Sequence, residues 1–129
     1  MASLAITGLF LAAGDFVTDQ REEVVRTELG VVGEQLAGEV LAADRLVQSG
    51  DTGTLALETS LPDDVAGASY TVAVADTPTG QWLNLTSQDP DITVTVRLET
   101  ETPLEPDTVG GGRVSVVYDP GADHLEVRG

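Results

Sequence analysis

The spacing of apolar residues divides the chain into a helical front and a stranded back. Met1 to Gly14 carries no charge, and the first proline is Pro62. Residues 2 to 48 therefore read as one unbroken helix, roughly 70 Å long at 1.5 Å per residue. From Val25 the apolar positions recur at Leu29, Val32 and Leu36. After a one-residue slip they continue at Val40, Ala43 and Val47, still on one helical face. Leu29, Val32, Leu36 and Val40 are the side chains expected to pin the helix to the remainder of the fold. Glu28, Glu34 and Glu39 lie off that stripe, and Glu22 with Arg26 has the spacing of an i,i+4 ion pair. Gly8, Gly14, Gly30, Gly33 and Gly38 each cost about 1 kcal/mol of helix propensity. Interspersed with Ala37, Ala42 and Ala43, they would also let another helix approach closely. Ser49-Gly50-Asp51 is the expected stop.

Beyond the stop the period becomes two. Leu55 and Leu57 alternate with Ala56 and Glu58; Tyr70, Val72 and Val74 share a face opposite Thr71 and Ala73. Leu83 and Leu85 alternate with Trp82 and Asn84. Ile92, Val94, Val96 and Leu98 form the clearest strand, and Val114, Val116, Tyr118, then Leu125 and Val127, supply two more. Turn residues separate these runs: Leu61-Pro62-Asp63-Asp64, Thr77-Pro78-Thr79-Gly80, Asp89-Pro90-Asp91 and Asp119-Pro120-Gly121. Gly110-Gly111-Gly112 reads as a flexible joint before the last hairpin. The expected fold class is α+β, a long N-terminal α-helix packed on a small antiparallel β-sheet or β-sandwich of six strands. Three segments follow: residues 1–18 apolar, 19–50 an amphipathic continuation of the helix, and 51–129 the β head.

Charge sharpens this outline. The 22 acidic residues outnumber six basic ones for a net charge of −16, and every basic residue is arginine: Arg21, Arg26, Arg45, Arg97, Arg113 and Arg128. Such an acid excess repels nucleic acid phosphates and anionic lipid head groups, so both are poor partners and no nucleic acid partner is expected. At low salt the chain also repels itself, whereas at molar salt the Debye length falls to about 3 Å. A carboxylate surface with no lysine fits a halophilic protein. There is no cysteine, so neither a disulfide nor a thiolate metal site supports the head.

The apolar N-terminus admits several readings. A complete spanning helix needs about 20 apolar residues, and Asp15 intervenes earlier. A signal peptide calls for a basic n-region, and no positive charge precedes Arg21. The favoured expectation is the outer half of a membrane helix whose inner half precedes this sequence; a buried or interfacial helix is the alternative. On the favoured reading Leu4, Ile6, Leu9, Phe10, Leu11, Phe16 and Val17 enter lipid or a filament core, and Asp15 and Asp19 mark emergence into water.

Little in the chain points to catalysis. His124 is the only histidine and shares strand parity with Glu126 and Arg128, on the expected wet face. Asp123 adjoins it, with no obvious nucleophile or oxyanion loop. Asp63-Asp64, Asp89 with Asp91, and Asp119 with Asp123 offer the oxygen ligands calcium prefers, but without EF-hand spacing. Asp also forms turns through its own backbone, so Asp89, Asp91, Asp119 and Asp123 are weak metal candidates. No cofactor is expected. Asn84-Leu85-Thr86 is an N-glycosylation sequon on the face opposite Leu83 and Leu85. Trp82 shares that face, either packed under a loop or against the helix, or exposed to a partner. Gly110 to Gly112 lacks the helix and lysine of a phosphate loop.

Several short stretches resemble the pilin-like secreted or membrane-anchored proteins of haloarchaea, within the type IV pilin and archaellin group. They are Gly14-Asp15-Phe16-Val17, Asp19-Gln20-Arg21-Glu22, Glu34-Gln35-Leu36-Ala37 and Ala42-Ala43-Asp44-Arg45-Leu46. Val65-Ala66-Gly67-Ala68-Ser69-Tyr70, Val116-Val117-Tyr118-Asp119 and Leu125-Glu126-Val127-Arg128 complete the set. The resemblance implies a membrane-inserted helix, a β-rich extracellular head, and partners that are membrane lipid or other pilin-like subunits, including copies of this chain. The basic cleavage motif and the acidic residue near the mature N-terminus of that family are not in this sequence. The competing expectation is an extracellular ligand- or cation-binding β-module.

Overall fold

The computed structural model describes the backbone of residues 2–50 and 53–129, and the side chains of residues 20–50 and 53–129. Within them the apolar stripe becomes α1 (Ala2–Gln48), and the six alternating runs become six of seven strands. These are β1 (Leu55–Ser60), β2 (Tyr70–Thr77), β3 (Gly80–Ser87), β4 (Thr93–Leu98), β5 (Asp107–Gly110), β6 (Arg113–Asp119) and β7 (His124–Arg128). One sheet has three strands in the order β1-β6-β7, and the other has four in the order β4-β3-β2-β5. All pairings between these strands are antiparallel. The fold is α+β.

Helix α1 runs against β4 and β3 of one sheet and β1 and β6 of the other. β4 and β1 are edge strands, so the helix covers the side where both sheets end. Unpaired edges invite aggregation, and a covering helix is one remedy. On the opposite side β5 meets β7, and Leu104 bridges to Leu125. Leu29 and Leu36 from the helix share one core with Leu83, Leu85, Leu98 and Leu125 from the sheets.

The long helix needs small residues where the four-stranded sheet comes closest. A Cβ on Gly33 would stand 2.6 Å from Val96 Cγ2 and 2.9 Å from Leu85 Cδ1. The close approach expected of a second helix is, at Gly33, made by the sheet of the same chain. Gly30 and Gly38 have nothing within 4 Å.

Three local expectations need correction. Among the described residues there are seven strands rather than six, because β5 carries one buried residue, Val109, and so shows no alternation. Arg26 pairs with the exposed Glu23 at 3.7 Å rather than with the half-buried Glu22, i,i+3 instead of i,i+4. The triple glycine is a packed corner instead of a loose joint. A Cβ on Gly111 would stand 2.8 Å from Tyr70 Cζ and 2.5 Å from the Pro62 carbonyl oxygen, and Leu61 N–H donates to the Gly112 carbonyl at 2.8 Å.

Tyr70 anchors this corner by donating its hydroxyl to the Pro62 carbonyl. Burial, with the Asp63 and Asp64 carboxylates nearby, pushes the phenol up from 10.0 to about 12. The folded state thus holds the proton more tightly than the unfolded chain. The associated stability is intact below pH 10.0 and is lost as pH climbs toward about 12. Tyr70→Phe should cost about 1 kcal/mol at neutral pH, the usual size of a lost hydrogen bond. It should also flatten the alkaline decline in urea unfolding measured at a series of pH values.

Candidate functional site

The surfaces that could act are the outer face of α1, the polar seam joining it to the head, and the outward sheet faces. The stripe residues Leu29, Val32, Leu36 and Val40 are buried in the core, and Val25 is the first helix residue described as buried. Opposite them, Val24 and Val31 are 46% and 63% exposed, unusual for branched apolar side chains on so charged a protein. They lie seven residues apart, close to the same side of a helix. The same spacing in the sequence runs back to Val17 and Phe10. Leu4, Ile6, Leu9, Phe10, Leu11, Phe16 and Val17 lie outside the residues whose side chains are described. Among the described residues, no helix is long and apolar enough to cross a membrane.

Polar bonds fix the helix to the head between Arg21 and Gln48. Arg21 Nη2 donates to the Asp89 carbonyl at 3.1 Å. About four helical turns further along, Gln35 Nε2 donates to Thr59 Oγ1 at 3.0 Å and to the Ser60 carbonyl at 3.1 Å. Asp44 is buried, and its carboxylate accepts the backbone N–H groups of Thr102 at 2.9 Å and Glu101 at 3.2 Å. Gln48 Nε2 donates to Thr102 Oγ1 at 3.0 Å. From the sheet side, Asp76 accepts the Leu104 N–H at 2.8 Å, and Gln81 Oε1 accepts the Thr100 N–H at 2.8 Å. The connection from β4 to β5 is thereby held by carboxylates and amides facing inward.

The candidate chemistry disperses. His124, half-buried at the start of β7, places Nδ1 2.9 Å from the Ala122 carbonyl and Nε2 3.6 Å from Glu105 Oε2. Asp119 Oδ1 accepts the Gly121 N–H at 3.0 Å, a turn-forming contact, and Asp123 occupies the left-handed region at φ 59°. Asp89 and Asp91 are exposed in the β3–β4 connection. Among the described residues, no three His, Cys, Asp or Glu side chains gather where one metal ion would sit. An open groove of about 450 Å³ lies between α1 and the β1–β2 connection, with Val31, Gln35 and Pro62 in its walls.

The outward face of the four-stranded sheet is more orderly. In β3, Leu83 and Leu85 are buried while Trp82, Asn84 and Thr86 are half-exposed on the other side. Trp82 therefore faces away from the helix, with its ring edge 3.2 Å from where a Gly80 Cβ would be. Asn84 sits between Ala73 of β2 and Thr95 of β4. Thr95 Oγ1 donates to Asn84 Oδ1 at 2.8 Å.

A family of unknown function (DUF7266) matches residues 1–128. The chain belongs to this family. Neither a curated protein nor a solved structure matches it significantly. Membership in DUF7266 carries no activity with it, so the physical layout bears the functional reading.

Proposed function

We propose that this DUF7266 member is a non-enzymatic, pilin-like cell-surface protein of a halophilic archaeon. Its N-terminal helix anchors it in the membrane or assembles it with other subunits, and its acidic β head stands in the external medium. One observation carries the reading: an uncharged run, Met1 to Gly14, opens the sequence of the same helix whose later turns form part of the head's core. Anchor and head are thus joined by continuous secondary structure rather than by a linker. The exposed Val24 and Val31 support helix–helix assembly along that flank of the helix, which at Val31 opens onto the groove beside the β1–β2 connection.

The reading is tested by fractionating source cells at high salt. The full-length chain should sediment with membranes, resist alkaline carbonate extraction, and be digested by protease added to intact cells. Recovery in the soluble cytoplasmic fraction, protected from protease, would contradict it.

The charge predicts a matching stability profile. With a net charge of −16, self-repulsion should fall as salt rises. Relief of only about 1 kcal/mol moves the melting temperature of a chain of 129 residues by roughly 4 °C. Scanning calorimetry should show the melting temperature rising at least that much between dilute and molar potassium chloride. A flat profile would remove the halophilic part of the reading.

A further inference from the structure

We propose that Asn84 is N-glycosylated and that Trp82 is the platform on which the first sugars rest; this builds on the extracellular placement of the head. The sequon Asn84-Leu85-Thr86 falls wholly within β3, so alternation sends Asn84 and Thr86 outward together while Leu85 enters the core. The neighbours across the ladder are small on one side, Ala73, and hydroxylated on the other, Thr95. Thr95 Oγ1 donates to Asn84 Oδ1, which orients the amide and occupies its oxygen. The Asn84 Nδ2 has no hydrogen-bond partner among the described residues, and no unsatisfied side-chain polar atom there is buried, so this nitrogen meets solvent.

Charge distribution supplies an independent argument. Within its strands, this outward face bears no carboxylate, although the chain has 22 acids. Its surface is made by Thr71, Trp82, Thr86, Thr93, Thr95 and Arg97. The outward side of the three-stranded sheet, by contrast, displays Glu58, Asp119 and Glu126. A glycan on Asn84 would add hydration to a face that has hydroxyls and Arg97 but none of the chain's carboxylates. Trp82 stands two residues before Asn84 on the same side, half-exposed, and its ring can take the apolar C–H face of a sugar.

The reaction requires a sugar or oligosaccharide activated as a lipid-linked phosphate, and a transferase. Asn84 Nδ2 attacks C1 of that sugar, forming the N–C1 bond. The bond from C1 to the phosphate oxygen breaks, the lipid phosphate leaves with the electron pair, and the amide proton passes to a base on the transferase.

The test uses the full chain isolated from the surface fraction of source cells. Trypsin cuts this sequence only after arginine, so Asn84 lies in the peptide 46–97. That peptide should be heavier than its sequence by whole sugar residues, with the added mass localised to Asn84. Asn84→Gln and Thr86→Ala should abolish the increment, and Thr86→Ser should keep it. A surface-fraction peptide of unmodified mass overturns glycosylation while leaving the surface reading intact. A chain found only inside the cell overturns both. The platform has its own readout, because Trp82 is the only tryptophan in the chain. Its fluorescence should be quenched by acrylamide less in the glycosylated chain than in Asn84→Gln, and equal quenching would overturn the stacking role.

Discussion

Leu36→Ala should destabilise the head by about 2–5 kcal/mol, the range seen for emptying a leucine-sized space in a packed core. Leu36 is fully buried and lies in one cluster with residues from both sheets. Its loss therefore opens a cavity at the junction of three elements, where collapse is difficult. Domains of this size hold about 5–15 kcal/mol in total, so the variant should melt far below wild type. Val31→Ala is the control: at 63% exposure it should change stability by no more than about 0.5 kcal/mol. Urea unfolding of both in high salt checks the pair. Equal, small effects would mean that the helix is an appendage to the head and not part of it.

Gly33→Leu should cost about 3 kcal/mol or more, at the upper end of what overpacking does. The first added carbon would stand 2.6 Å from Val96 Cγ2, and the rest of the side chain would have to enter space already held by Val96 and Leu85. The helix can accommodate it only by lifting from the β3–β4 surface. The propensity gained by removing a glycine, about 1 kcal/mol, is too small to offset that displacement. Gly38→Ala should have the opposite sign, since nothing lies within 4 Å of its Cβ position and the propensity gain stands alone. One glycine substitution that stabilises and one that destabilises, five residues apart on the same helix, would confirm close contact at Gly33 specifically. Stabilisation by both would place the sheet further from the helix.

The sequence made the helix stripe and most strands legible because each of these elements buries one regular face. Alternation marked β1, β2, β3, β4, β6 and β7, and the same alternation placed Trp82, Asn84 and Thr86 on one outward side. β5 escaped because a four-residue edge strand with only Val109 buried has too few positions to show a period. Gly111 was misread because a glycine that admits Tyr70 looks, in sequence, like one that supplies flexibility. Asp44 was also hidden. An acid on a helix ordinarily faces water, and the N–H groups that make its burial tolerable come from a connection 57 and 58 residues later. Thr95 as the partner of Asn84 depends on the register between β3 and β4, which alternation alone does not set.

The anchor is tested most directly by Leu9→Asp in the full chain, followed by membrane fractionation at high salt. A carboxylate placed among apolar residues in a bilayer costs about 2.5–3.5 kcal/mol on insertion scales, enough to shift partitioning by roughly 70- to 400-fold. The account predicts that wild type sediments with membranes and that Leu9→Asp moves to the soluble fraction with its head still folded, as shown by an unchanged melting temperature. A variant retained on the membrane like wild type would contradict the proposed role of the N-terminal helix.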